Sequence, residues 1–204
     1  QTATPESVLV DSERLQAAVA NLDITADSVN ELLIVRNGRV IWQGNNVHHT
    51  QHVWSITKSF ASTVMGLLYD DDRLTLDTLA RDHVPELSEH YPNATLEHFV
   101  TNTSGSLAVD EPVPVDPARR PETPFDPAPP LFSPPGSQYA YVGASFDMLA
   151  NLLTQVAEEP IADLFDRRIG APIAFEPEEF DWATFPVEDG LDIHGGAGFE
   201  GYGV

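Results

Sequence analysis

The sequence predicts an α+β fold, and three observations carry that expectation. An Asn37-Gly38 pair separates two apolar, β-branched runs, which is the pattern of a tight antiparallel hairpin. Two stretches, Ser55 to Tyr69 and Ser145 to Val156, repeat their apolar residues at the 3.6-residue period of buried helices. The chain of 204 residues is 42% hydrophobic, enough to build a core and too much for a disordered segment.

In chain order, residues 12–21 read as an amphipathic helix, with Ser12 as its N-cap and Leu15, Val19 and Leu22 on one side. The hairpin follows: Leu32 to Arg36, the Asn37-Gly38 turn, then Arg39 to Trp42. A type I′ turn needs positive φ at both central positions, which Asn and Gly supply at least cost. The helix from Ser55 places Ile56, Phe60, Val64, Leu67 and Leu68 at helical spacing. It should stop at Asp70-Asp71-Asp72, since three carboxylates oppose the negative end of a helix dipole. A short helix is expected over Thr95 to Val100.

Between Glu111 and Gly136 stand ten prolines, so this stretch is expected to be a long surface loop rather than helix or central strand. Helical periodicity resumes with Phe146, Leu149, Leu152, Leu153 and Val156 on one face. Pro160 is expected to open a further helix at its first position, with Gly170 as the C-cap. The tail from Gly190 carries six glycines in 15 residues and no period. The whole reads as one domain: helix and hairpin over 1–54, a mostly helical region over 55–189, and a glycine-rich segment over 190–204.

Composition excludes several classes of function. With 32 acidic and 10 basic residues the formal charge is −22, a surface that repels phosphate backbones, so no nucleic-acid partner is expected. No apolar run reaches the roughly 20 residues that span a bilayer. There is no cysteine, hence no disulfide framework, thiolate metal site or cysteine nucleophile. The chain opens at Gln1 without a charged-then-apolar leader, so any signal peptide is expected to be gone, and the compartment stays open. Nine of the ten basic residues are Arg and one is Lys58. Scarce lysine with abundant carboxylate suits a salt-adapted protein, because molar salt shortens the Debye length to about 3 Å.

The single lysine lies three residues after a serine, in Ser55-Ile56-Thr57-Lys58. At i and i+3 of a helix the two side chains share a face, so the amine reaches the hydroxyl. A serine becomes a useful nucleophile when a base removes its proton. A lysine amine can serve when its surroundings favour the neutral form, whereas arginine stays charged. The first turn of a helix also presents free backbone N–H groups that polarise a carbonyl oxygen. A capping serine beside a solvated lysine is the plainer alternative.

Other groups point elsewhere with less force. Gly143-Ala144-Ser145-Phe146-Asp147 approaches a nucleophile elbow but lacks its last glycine and a preceding strand. His48, His49 and His52 sit in a loop without a neighbouring carboxylate, and read as surface residues rather than metal ligands. Asp70-Asp71-Asp72 lacks the spacing of a calcium loop. Asn93-Ala94-Thr95 and Asn102-Thr103-Ser104 are glycosylation sequons by pattern alone. Trp54 and Trp182 are candidates to line a cleft, with core packing as the equal alternative.

Several segments together resemble one family. Val53-Trp54-Ser55-Ile56-Thr57-Lys58-Ser59-Phe60 is similar to the nucleophile helix of the serine β-lactamase and penicillin-binding-protein-like hydrolases. The resemblance is strongest to the branch holding class C β-lactamases, esterases and aminohexanoate-oligomer hydrolases. Gly66 to Asp70, Arg73 to Asp77, Pro85-Glu86-Leu87 and Thr101 to Gly105 resemble successive stations of that branch. Pro135-Gly136 followed by Tyr141 matches its Y-x-N motif, with Tyr139 as an alternative register, and Ala171-Pro172-Ile173 resembles a later station.

The resemblance implies a β-lactamase/transpeptidase-like fold, an antiparallel sheet flanked by helices plus a helical region. It also implies a metal-free, cofactor-free serine hydrolase acting on a small-molecule ester or amide. By the same resemblance Ser55 is the acylated nucleophile, Lys58 its proton acceptor and Tyr141 the phenolic acid/base. Trp54, Gly143, Trp182 and His194 are expected to bind substrate.

Two departures stand out. The motif reads Tyr141-Val142-Gly143, without the amide side chain. The family's third motif, [KH]-[TS]-G, normally lies much further on, while the sequence ends 63 residues after Tyr141. His194-Gly195-Gly196 comes too early to replace it and resembles instead a glycine-rich segment before a later helix. The sheet is therefore expected to be completed by further polypeptide or by a second chain. A β-lactamase-like protein that binds a ligand without turnover is the alternative function.

Overall fold

The computed structural model describes residues 1–22, 31–49, 51–107, 123, 125–175, 180–187, 190–195 and 202–203. Half of the proline-rich stretch, 111–122 and 124, lies outside the described residues, as do seven of the tail's residues, 196–201 and 204. The described part of the proline-rich stretch, 125–136, is irregular backbone without helix or strand. The chain divides into two compact units, residues 1–51 and 52–203.

In the first unit, α1 spans Ser12–Ala20. Its cap is Asp11 rather than Ser12: the Asp11 carboxylate accepts from the Arg14 amide at 2.9 Å. The ionised acceptor one residue upstream also complements the positive end of the helix. Strands β1 (Leu33–Arg36) and β2 (Arg39–Gln43) form the expected antiparallel hairpin. Asn37 and Gly38 turn it with φ of 51° and 70°. The register slips between Ile34 and Val35, which leaves Ile41 as the extra residue of a bulge, and Ile41 is the buried residue of that strand. The N-terminal segment runs alongside β2, with Ala3 donating to the Val40 carbonyl at 2.9 Å and Val40 to the Gln1 carbonyl at 3.0 Å.

The second unit begins within β3 (Gln51–His52) and holds the main core. A 3₁₀ turn at Trp54–Ile56 leads into α2 (Thr57–Asp70). The helix ends at the three aspartates, as the dipole argument requires. Its Ala61, Val64, Met65 and Leu68 are buried. The short α3 (Leu96–Val100) starts with a capping box in which Thr95 and His98 exchange hydrogen bonds.

At the centre lies α4 (Gly143–Ala157), buried on every side except Gln155. A mostly apolar helix buried on nearly every face belongs inside a core. Among its buried polar side chains, Ser145 donates to the Phe99 carbonyl at 2.8 Å, Thr154 to the Ala150 carbonyl at 2.9 Å, and Asn151 accepts from Gln155 at 3.3 Å. Arg73 closes its C-terminal end by donating to the carbonyls of Val156 and Ala157.

Next comes α5 (Ile161–Phe165), where Pro160 is the cap rather than the first helical residue, with ψ at 134°. The helix does not stop at Gly170. It widens into a π turn over Asp166–Gly170 and tightens into a 3₁₀ turn over Ala171–Ile173. Gly170 has ordinary helical backbone, with φ of −56°, and a Cβ there would meet only the movable end of the Asp166 side chain. The left-handed cap is Ala174, with φ of 57°. Two-residue strands complete the described structure. β4 (Phe180–Asp181) pairs antiparallel with β7 (Tyr202–Gly203), and β5 (Thr184–Phe185) with β6 (Ile193–His194). Among the described residues no helix is long and apolar enough to cross a membrane.

Candidate active site

The 3₁₀ turn before α2 lifts Ser55 into solvent, while Lys58, one turn further on, is 9% exposed. Trp54 holds its backbone at φ of 47°, a left-handed conformation that costs a bulky residue about 1–3 kcal/mol and that tends to cluster where side chains must be aimed. The serine and lysine meet as the local spacing requires, with Lys58 Nζ donating to Ser55 Oγ at 3.0 Å. The ammonium lies 5.1 Å from the centroid of the Tyr141 ring and 5.6 Å from that of Phe146, both within cation–π range.

Tyr141 arrives from 86 residues away and donates its hydroxyl to Ser55 Oγ at 2.6 Å. Tyr141 is thus the tyrosine that reaches the serine, while Tyr139 is 66% exposed. The chain around it is extended, with Val142 at φ −137° and ψ 138°. Neighbouring side chains of extended backbone point to opposite faces. Val142 turns into the core, 1% exposed, and Tyr141 turns out, 54% exposed.

The remaining expected site residues are placed differently. Trp54 is 57% exposed beside the serine. Gly143 is the buried first residue of α4. Trp182, 5% exposed, packs among Phe60 and Phe165, each 6.1 Å away between ring centroids, and His194 meets it edge-on at 5.8 Å. Core packing, the alternative weighed for Trp182, is the role its surroundings fit. His49 pairs through Nδ1 with Glu31 at 2.8 Å. Among the described residues no group of three or more His, Asp or Glu is arranged to hold a metal ion.

Two residues at the site carried no chemical signal in the sequence. Phe146 stands in the sequence as one apolar residue of a helical period and of the incomplete elbow, with nothing to place it beside the Lys58 amine. Asn102 was read only as part of a sequon and a family station, yet its side chain accepts from the Val142 amide. The readable clue was its residue type, since Asn enters left-handed backbone more readily than other side chains, and Asn102 has φ of 56°.

A family model described as Beta-lactamase matches residues 22–185. Among solved structures, a D-alanine carboxypeptidase AmpC from Burkholderia cenocepacia is 16% identical with a TM-score of 0.65, over 95% of this chain and 62% of that one. A Beta-lactamase/D-alanine carboxypeptidase from Yersinia pestis is 23% identical with a TM-score of 0.57, over 88% and 58%. A penicillin binding protein from Bacillus halodurans is 20% identical, also at 0.57, over 78% and 58%. The chain therefore spans between 58% and 62% of these three relatives' lengths. No curated protein matches it.

Proposed function

The chain belongs to the Beta-lactamase family, and we propose that it is a serine hydrolase that cleaves an ester or amide through an acyl-enzyme on Ser55. The observation that carries this reading is a single oxygen with two proton-transfer partners. Ser55 Oγ accepts from Lys58 Nζ at 3.0 Å and from Tyr141 OH at 2.6 Å, on an exposed turn where a substrate carbonyl can approach.

In the proposed reaction one of these two groups first enters its unprotonated form. It then takes the Ser55 proton as Oγ bonds to the carbonyl carbon. The tetrahedral intermediate collapses by losing the alcohol or amine, which leaves with a proton delivered through Tyr141. A water molecule then attacks the acyl-enzyme by the same route in reverse, releasing the acid and restoring Ser55. Acyl transfer from small esters, β-lactams, D-alanyl peptides or ω-amino-acid oligomers uses the same steps. The chemistry needs no metal or cofactor in this scheme.

One feature favours ligand binding without turnover instead: Gly143 offers no side-chain amide where the motif has one. Mass spectrometry of the intact protein after incubation with a fluorophosphonate or a penicillin, in low and in molar salt, separates the two. A single adduct on Ser55, absent from Lys58→Ala, is the result expected of the hydrolase. A folded protein that acquires no adduct in either salt would leave the binding reading in its place.

A further inference from the structure

One residue holds the main chain on both sides of Tyr141. The Ala140 amide donates to the Asn102 carbonyl at 3.0 Å, and the Val142 amide donates to the Asn102 side-chain oxygen at 3.3 Å. In extended backbone the amides of residues i−1 and i+1 point the same way, so one neighbour can take both. A regular strand would offer two residues for this, whereas here a main-chain and a side-chain oxygen of one residue do so.

The geometry demands an unusual residue. Asn102 has φ of 56° and is 7% exposed, so it needs tolerance of left-handed backbone together with a side-chain acceptor. Its surroundings hold it firmly. Its own amide donates to the Phe99 carbonyl at 3.2 Å, and the Thr103 amide to the His98 carbonyl at 2.8 Å. Two residues on, Ser104 Oγ is 3.1 Å from Ser145 Oγ and 2.8 Å from Ser106 Oγ, and Ser145 donates to Phe99. The turn after α3 and the start of α4 are therefore tied together at the height of Tyr141.

We propose that Asn102 is the positioning residue of the Ser55 site: by gripping Ala140 and Val142 it sets the pose in which the Tyr141 hydroxyl meets Ser55 Oγ. The catalytic meaning of that pose rests on the hydrolase reading, whereas the pose itself does not. It also supplies an anchor in a motif whose own amide is replaced by Gly143. A displacement of about 1 Å at a reacting group costs up to about 100-fold in rate, so loss of the grip should be visible in turnover.

The test compares Asn102→Gly with Asn102→Asp. Glycine keeps the left-handed backbone and removes the acceptor, whereas aspartate retains an acceptor oxygen. The reporter that needs no activity is the Tyr141 ring signal in tyrosine-labelled protein, assigned by Tyr141→Phe and checked for its response to Ser55→Ala. In the parent chain that signal should move when Ser55 is replaced. In Asn102→Gly the response should be lost, with the melting temperature lowered by the few degrees that an orphaned buried amide costs, and in Asn102→Asp it should return.

Fluorophosphonate labelling of Ser55 should slow about 10- to 100-fold in the glycine variant and recover with aspartate. For p-nitrophenyl butyrate the fall should lie in kcat rather than KM. An unchanged Tyr141 response in Asn102→Gly overturns the proposal, as does an aspartate variant that restores neither signal nor rate. If the glycine variant does not fold, hydrogen exchange in the parent chain decides: a Val142 amide that exchanges at the open-loop rate removes the grip. A parent chain that is not labelled at all sinks the hydrolase reading, while the ring response still judges Asn102.

Discussion

At the scale of single residues, the chain's only lysine is the one that touches the exposed serine. Arginine, used nine times elsewhere, carries the same charge and comparable reach but stays protonated. Lys58→Arg therefore separates charge from proton transfer. Labelling of Ser55 should slow by about 100-fold or more, in the range ascribed to general acid–base groups, while the larger guanidinium in this buried site lowers the thermal midpoint without unfolding the protein. A labelling rate within twofold of the parent would take Lys58 out of the proton path. Tyr141→Phe tests the other partner, because it keeps the ring beside the ammonium and removes only the hydroxyl. Slower labelling at retained stability is the expected outcome there as well.

At the scale of elements, the site stands on α2 and on the segment leading into α4, and both helices depend on the same core. Leu149 is fully buried within α4. Leu149→Ala removes three heavy atoms from close packing and should cost about 2–5 kcal/mol in urea unfolding, the range for buried leucines. A cost below 1 kcal/mol, about that of an ordinary surface change, would show that α4 is not the central element.

The far end of α2 has a pH-dependent tie. Arg168 donates to both Asp71 oxygens, at 2.6 and 3.2 Å. That hydrogen bond holds the Asp71 carboxyl below its ordinary range against an opposing desolvation, and the charges of Arg168, Arg73 and Arg167 add to it. A depressed carboxyl contributes stability above its unfolded pKa of about 3.9 and loses it as pH falls through the folded value. Asp71→Asn should therefore melt lower than the parent at pH 7, and the gap should close on acidification. A gap that persists unchanged in acid would assign the effect to packing instead. The effect should be small, since the pair is partly solvated.

At the scale of the molecule, the charge of −22 is the dominant property outside the core. Repulsion among carboxylates reaches about 10 Å at 0.1 M salt and about 3 Å at 1 M. We expect the urea midpoint and the thermal midpoint to rise between those salt concentrations, with Ser55 labelling rising alongside. A midpoint that is flat or falls with salt would reject salt adaptation, leaving the lysine bias as a feature of composition alone.

What the sequence determined by itself was local. The hairpin followed from Asn37-Gly38, the long helices from their apolar period, and the Ser55–Lys58 contact from a three-residue spacing. Each depends on backbone geometry over a few residues, so a pattern in the chain is enough to read it. Where a local signal meets a competing neighbour the pattern gives way, as at Asp11 displacing Ser12 and at Gly170, where the chain runs on through a π turn and a 3₁₀ turn.

The tertiary structure decided the rest. It brought Tyr141 across 86 residues to Ser55, set Asn102 against Val142 across 40, and closed α4 with an arginine more than 80 residues distant. It also gave Trp182 a place among buried rings. The family pattern pointed to Tyr141, but nothing in the local sequence could show that its hydroxyl and not that of Tyr139 would reach the serine. Alternation turns Tyr139 and Tyr141 to the same exposed face, so the choice between them depends on where the segment is set against the Ser55 turn, and the packing that sets it is a property of the whole unit rather than of any stretch of it.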